Sequence, residues 1–122
     1  MSMQLQLSTE LGSIHITDQC IAVLAGSAAM DCYGLVGMAS RNGLKDGFAE
    51  LLGRENMSRG VVVRRDADRL LIELYIIVSY GTKISEVAHN IQSKVSYVLN
   101  QIMGLSIDEV HIFVQDVRVS SY

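Results

Sequence analysis

The side chains of this 122-residue chain best suited to chemistry are three histidines (His15, His89, His111), two cysteines (Cys20, Cys32) and two close aspartates (Asp66, Asp68). Imidazoles and thiolates ligate metals and act as bases or nucleophiles, and paired carboxylates can divide acid and base work between them. Their spacing argues for none of this. No Cys-x-x-Cys or His-x-x-x-His pair occurs, and such local pairs are what set two ligands on one ion from a single turn or helix. The histidines therefore read as surface or internally satisfied groups. Cys20 and Cys32 lie twelve positions apart on one predicted helix, about 18 Å at helical rise and beyond disulfide reach. Reduced, buried thiols of a cytosolic protein are the expectation. Asp66 and Asp68 fall in a predicted turn beside Arg64, Arg65 and Arg69, where solvated acid–base pairing is the ordinary outcome.

The glycines Gly34, Gly37, Gly43 and Gly47 lack both the Lys-Ser/Thr ending of a phosphate-cradling P-loop and the G-x-G-x-x-G spacing of a dinucleotide fold. They read as turn glycines. Ser27 follows Gly26 inside a predicted helix, outside the G-x-S-x-G strand-to-helix turn that exposes a nucleophilic serine. Gly34-Leu35-Val36-Gly37 has the letters of a KH loop, but its apolar middle reads as strand. The expectation is a protein that is not an enzyme and uses no metal or cofactor. One cluster stays open as a candidate basic contact. Arg64, Arg65 and Arg69, with Arg59 nearby, could meet an acidic partner, a phosphate or a lipid headgroup.

Bulk properties narrow the partners. A length of 122 residues fits one domain, and 49% hydrophobic residues is ample for a core without disulfides. The formal net charge of −3 gives no global pull toward nucleic acid or anionic lipid, and with no Trp and two Phe there is no extended stacking platform for single strands. Nucleic acid is not an expected partner. The start, MSMQLQLSTELG, has neither a basic region nor a long apolar core, so no secretory signal is read there. The expected location is the cytoplasm, with no direct membrane insertion.

The elements that position these groups follow from hydrophobic periodicity. Residues 1–10 read as a variable segment, and a single domain spans 11–120. Leu11 to Thr17 reads as a strand, and Thr17 or Asp18 caps a helix running to Met30–Cys32. Within that helix Ala22, Ala25, Gly26 and Ala29 form a small-residue strip, where Gly26 suggests close packing. Leu35 to Ala39 is a short strand, and Leu44, Phe48, Leu51 and Leu52 suggest a brief amphipathic helix. The polar stretch Gly53 to Arg59 reads as a loop. Val61 to Arg65 and Leu70 to Tyr80 form a hairpin, Lys83 to Met103 a long amphipathic helix, and Ile107 to Val119 a last strand with a bulge near Asp116. The predicted class is α+β in the order β-α-β-α-β-β-α-β: a mixed sheet with two longer helices on one face, plus one short helix.

The run from Leu70 to Gly81 carries the main functional inference. With period two, Leu70, Ile72, Leu74, Ile76 and Val78 make an aliphatic face. Leu71, Glu73, Tyr75, Ile77 and Ser79 make the other, which is also rich in apolar groups. Val62, Leu71, Tyr75, Ile77 and Phe113 are accordingly the candidate interaction surface, needing cover from the chain itself or from another molecule. A second possibility is a small-ligand-binding regulator of acyl or lipid metabolism. Its pocket would lie between the short helix and the sheet, lined by Met38, Phe48 and Met57.

Several segments together resemble the alkaline shock protein 23 family of Gram-positive bacteria, the envelope stress response proteins. They are Gly12 to Gly26 (GSIHITDQCIAVLAG), Gly34 to Met38 (GLVGM), Ser58 to Val63 (SRGVVV), Leu74 to Ala88 (LYIIVSYGTKISEVA) and Val110 to Val119 (VHIFVQDVRV). The resemblance covers nearly the whole chain and is greatest to the short YloU-type members. Ser85 stands where many members have Pro, and Asp116 where a Gly is common. The resemblance implies a small non-enzymatic cytoplasmic protein of envelope homeostasis and stress; some relatives self-associate and are held near the membrane by a membrane-anchored partner, so a homo-oligomer and a membrane-anchored protein partner are the expectation here. It supplies no catalytic or cofactor residues.

Overall fold

The computed structural model describes residues 4–45, 48–104 and 106–119. The chain opens with strands β1 (Gln4–Thr9) and β2 (Gly12–Thr17), an antiparallel hairpin forming its own two-stranded sheet. Thr9 pairs with Gly12, so Glu10 and Leu11 make a two-residue turn. The expected strand from Leu11 is therefore the second arm of a hairpin whose first arm lies in the segment expected to be variable.

Helix α1 (Asp18–Met30) starts where Thr17 Oγ1 accepts the Cys20 N–H at 3.1 Å, satisfying one of the free donors of the first turn. Asp18 adds negative charge at the positive end of the helix dipole. Cys32 lies past the helix end, and both cysteines are free; against the expectation of buried thiols, Cys20 is exposed and Cys32 only partly buried. The exit passes through Gly34, whose φ of +90° suits glycine. A Cβ there would also stand 2.7 Å from Val87 Cγ2. This residue lets the first helix turn back under the second.

The remaining elements are β3 (Leu35–Lys45), β4 (Phe48–Leu51), a 3-10 helix (Arg54–Gly60), β5 (Val61–Asp66), β6 (Arg69–Ser79), α2 (Ile84–Met103) and β7 (Glu109–Arg118). Strand β6 is the centre of the main sheet. Along one edge runs β7, parallel; along the other lie β5 against its first half and β3 against its second, both antiparallel. Strand β4 pairs with β3. The buried residues Leu70, Ile72, Leu74, Ile76 and Val78 follow the predicted alternation. Ile72, Leu74, Ile76 and Val78 meet Ile21 and Ala25 of α1 and Val87, Ile91, Val95 and Leu99 of α2 in one core. Two long helices on the aliphatic face of a mixed sheet give the α+β architecture expected from the sequence.

Two local expectations are corrected. The segment around Leu44 to Leu52 is not a helix: β3 runs on past a register shift between Ala39 and Leu44 and pairs with β4. The short helix lies instead at Arg54–Gly60, in the stretch expected to be a polar loop. Two contacts fix it there. Met57 packs against the core beside Gly26, and a Cβ on Gly60 would stand only 2.7 Å from the Ala39 carbonyl oxygen. The helix therefore sits directly on β3, at a distance only glycine permits. The bulge in β7 falls where the change of alternation predicts. Ile76 pairs with Val114 but Ile77 with Asp116, leaving Gln115 as the extra residue.

Candidate interaction surfaces

The second face of the sheet collects the predicted surface residues. Register places Val62 beside Glu73, and Tyr75 beside Phe113. The five candidates do not form one open patch. Ile77 is fully buried, packed with Ala39, Val36 and Tyr75, and Val62 is buried as well. Part of the roof is the chain's own β3–β4 hairpin: a Cβ on Gly37, which pairs with Ile77, would lie 2.7 Å from Leu51 Cδ1 of β4. Ile77 thus belongs to a small second core. What stays accessible is Leu71 and Tyr75, both half-buried, and Phe113 at 41% exposure.

Tyr75 and Phe113 stack across the parallel β6–β7 pair, with ring centroids 4.7 Å apart and planes within 12°. Such a cross-strand pair adds about 0.5–1.5 kcal/mol beyond its area burial. Polar groups flank the stack. Arg64 Nε donates to Glu73 Oε2 at 2.8 Å, and Tyr75 Oη donates to Glu73 Oε1 at 3.3 Å. The Arg64 hydrogen bond, helped by its charge, holds the Glu73 carboxyl below the usual glutamate range although partial burial works the other way. Burial, then the Glu73 carboxylate, raises the Tyr75 phenol. The side chain keeps its proton at neutral pH and acts as a donor. This face is an aromatic platform ringed by charge, less greasy than its sequence suggests.

The candidate basic contact fares differently. Three of its arginines are ion-paired: Arg64 with Glu73, Arg65 with Asp18 at 2.6 Å, and Arg69 with Glu109. The Arg65–Asp18 pair ties β5 to the first turn of α1, with the Arg65 side chain only 17% exposed. Three neutralised guanidiniums offer a weak field to an outside anion. Arg59, the fourth member, shares with Arg41 a cleft of about 250 Å³ lined also by Ser40 and Val61. Arg41 escaped the sequence reading because its neighbours Asn42 and Gly43 suggested a turn; in the fold it belongs to β3.

Other chemistry-bearing residues stay apart. His15 lies on the hairpin with its Nε2 3.0 Å from Ser13 Oγ, His89 is on α2, and His111 contacts Glu109 on the second face at 2.7 Å. Among the described residues, no three His, Cys, Asp or Glu side chains converge as a metal site. Asp66 and Asp68 are exposed at the β5–β6 turn, where Ala67 takes a φ of 56°. Burial, the larger effect, raises the Cys32 thiol and outweighs the nearby Lys94 charge. Gly34 to Gly37 does not form a loop between helices: Leu35 and Gly37 are paired strand residues. Of the lining imagined for a ligand pocket, Met38 is fully buried in the core and Met57 packs against it, so both fill space rather than face a cavity. Phe48's side chain lies outside the described residues. No described helix is long and apolar enough to cross a membrane.

Two further apolar surfaces are open. Leu11 at the tip of the β1–β2 hairpin is fully exposed and Ile14 on its second arm is 49% exposed. A lone two-stranded hairpin is marginally stable in water unless its apolar side packs on something. The other open surface is the end of β6 and β7, where Tyr80, Val117 and Ile84 line a shallow groove.

Sequence comparison places this architecture. The family model that matches residues 6–119 is that of the alkaline shock protein 23 proteins, described as having a cell envelope-related function. The chain belongs to the alkaline shock protein 23 family. The match begins within β1 and ends one residue past β7, so the hairpin is part of the shared unit. Among relatives of this chain, YloU of Bacillus subtilis is 57% identical, covering 98% of this chain and 99% of its own length. Spy1614 of Streptococcus pyogenes is 40% identical over 96% and 97%. YqhY of Bacillus subtilis is 32% identical over 90% and 80%. A general role connected with the cell envelope follows from the family.

Proposed function

We propose that this chain is a non-enzymatic interaction module of cell-envelope stress homeostasis. In this reading it acts in the cytoplasm, associates with copies of itself and docks on a membrane-proximal protein partner. The observation that carries the reading is the half-roofed second face. The β3–β4 hairpin seals Ile77, yet Phe113 is left 41% exposed against Tyr75. Beside it runs β7, a ten-residue strand that pairs with β6 alone among the described strands. An edge strand next to an exposed aromatic pair offers both hydrogen-bonding groups and desolvatable area to a neighbour. The exposed Leu11 and Ile14 of the hairpin supply a second sticky surface away from the first.

Sedimentation equilibrium over a concentration series tests the self-association. The expected result is a dimer or larger species at tens of micromolar, shifted toward monomer by Phe113→Asp with an unchanged far-UV spectrum. A strict monomer for the unmodified protein would remove the reading. Truncation of a buried interface aromatic commonly costs about 2 kcal/mol or more. That corresponds to roughly a thirtyfold weaker association.

A further inference from the structure

We propose that the cleft between Arg41 and Arg59 binds a phosphate-class oxyanion. The fold brings these two guanidiniums to one mouth, although eighteen positions separate them in sequence. Gly60 seats the 3-10 helix on β3 with its Cα so close that a methyl group would meet the Ala39 carbonyl at 2.7 Å. That contact brings Arg59, one residue before Gly60, to the same cleft as Arg41, two residues after Ala39. The walls are completed by Ser40, 4% exposed, and by buried Val61. The space of about 250 Å³ is large enough for a phosphate group.

The charge pattern singles this place out. Arg64, Arg65, Arg69 and Arg118 each hold a carboxylate; Arg41, Arg54 and Arg59 have no ion pair among the described residues, and of these Arg41 and Arg59 share a cleft. Two exposed, unpaired arginines on a chain of net charge −3 create a local reversal of sign. A guanidinium presents a rigid fork of donors that matches two oxygens of a tetrahedral anion, and two such forks lining one cleft can together hold one phosphate. The phosphate could be free in solution or carried by a lipid headgroup, and the recognition chemistry is the same. The residues lining the cleft include neither ring of the Tyr75–Phe113 platform, although the Arg41 charge reaches the Tyr75 phenol.

The test uses the full chain, labelled with nitrogen-15, and two probes. Inorganic phosphate should shift the backbone amides of Ser40, Arg41, Arg59 and Gly60 with a saturating curve. Arg41→Gln and Arg59→Gln should each weaken the affinity about tenfold or more. Arg54→Gln, which removes the same charge from the far end of the 3-10 helix, should leave it unchanged. In the second arm, vesicles of phosphatidylglycerol and of phosphatidylcholine are mixed with the protein and floated. Retention on the anionic vesicles alone, abolished by both cleft substitutions, together with no response to free phosphate, assigns the phosphate to a headgroup and supports the site. Both arginines are exposed, so unchanged unfolding midpoints confirm intact variants. Binding to neither probe would overturn the proposal. So would shifts spread evenly over Arg64 and Arg69, or a response equal in all three variants.

Discussion

Two glycines of similar appearance in the sequence should respond oppositely to alanine. Gly26 lies inside α1 with ordinary helical geometry, and a Cβ there would meet Met57 Cγ at 3.6 Å, Val61 Cγ2 at 3.7 Å and the Met57 carbonyl oxygen at 3.8 Å. All three are normal contact distances. Gly26→Ala therefore gains helix propensity of about 0.8–1 kcal/mol. The new methyl is buried without a clash, adding at most about 0.8 kcal/mol. Net stabilisation of about 1 kcal/mol corresponds to a rise of roughly 3–6 °C in Tm for a domain of this size. Gly60 differs because the nearest atom is backbone: the Ala39 oxygen at 2.7 Å, with Met38 Cβ at 3.1 Å behind it. Neither can swing away. Gly60→Ala must push the 3-10 helix off β3, at a cost of about 1–3 kcal/mol. Urea denaturation followed by circular dichroism measures both, with an unchanged slope expected for Gly26→Ala. A destabilised Gly26→Ala would show that α1 and the 3-10 helix sit closer than described. A neutral Gly60→Ala would show that their seat on β3 is loose, and the placement of Arg59 at one cleft with Arg41 would fall with it.

Two further predictions follow from the second face. Ile77→Ala opens a cavity in the small core beneath the β3–β4 hairpin and should lose about 2–5 kcal/mol of stability by urea denaturation; a loss below about 1 kcal/mol would mean that the roof is not closed. Glu73→Gln probes acid stability. The carboxyl is depressed in the folded protein, so its contribution is present above the unfolded value of about 4.3 and is lost as pH falls through the lower folded value. The stability gap between native and Glu73→Gln protein should be constant near neutrality and shrink below about pH 4.3. A gap that widens on acidification would contradict the Arg64–Glu73 pairing.

Much of the framework is legible in the chain because its signals are local. Alternation along Leu70 to Val78 specifies a strand with one buried face, and the repeat from Val87 to Leu99 specifies a helix with one buried stripe. Thr17 as cap and the change of parity before Asp116 are also readable, since each depends on a few adjacent residues. The spacing of Leu44, Phe48, Leu51 and Leu52 misleads for the same reason. It satisfies a helical period, but an antiparallel partner close by in the chain competes for the backbone, and strand pairing wins. Periodicity cannot weigh that competition. The pairing of Gln4–Thr9 with β2 had a signal in the alternation of Gln4, Leu5, Gln6 and Leu7.

Sequence by itself determined the class, the aliphatic core face and the family to which the chain belongs. Side-chain periodicity and the order of elements depend on neighbours a few positions away. Which surfaces remain free was settled only in three dimensions. Arg65 finds Asp18 across 47 positions and Arg69 finds Glu109 across 40, so the basic cluster conspicuous in the sequence is the one whose charge is spent. Arg41, passed over in the sequence, and Arg59, read there only as a neighbour of that cluster, are brought to one cleft by the bare Cα of Gly60 against β3. Ile77 looks as available as Tyr75 along the strand, yet Ile77 is sealed against Val36 and Ala39 of β3 while Tyr75 stays half open. Accessibility is a property of what folds over a residue, and the alternation within a strand carries no record of that.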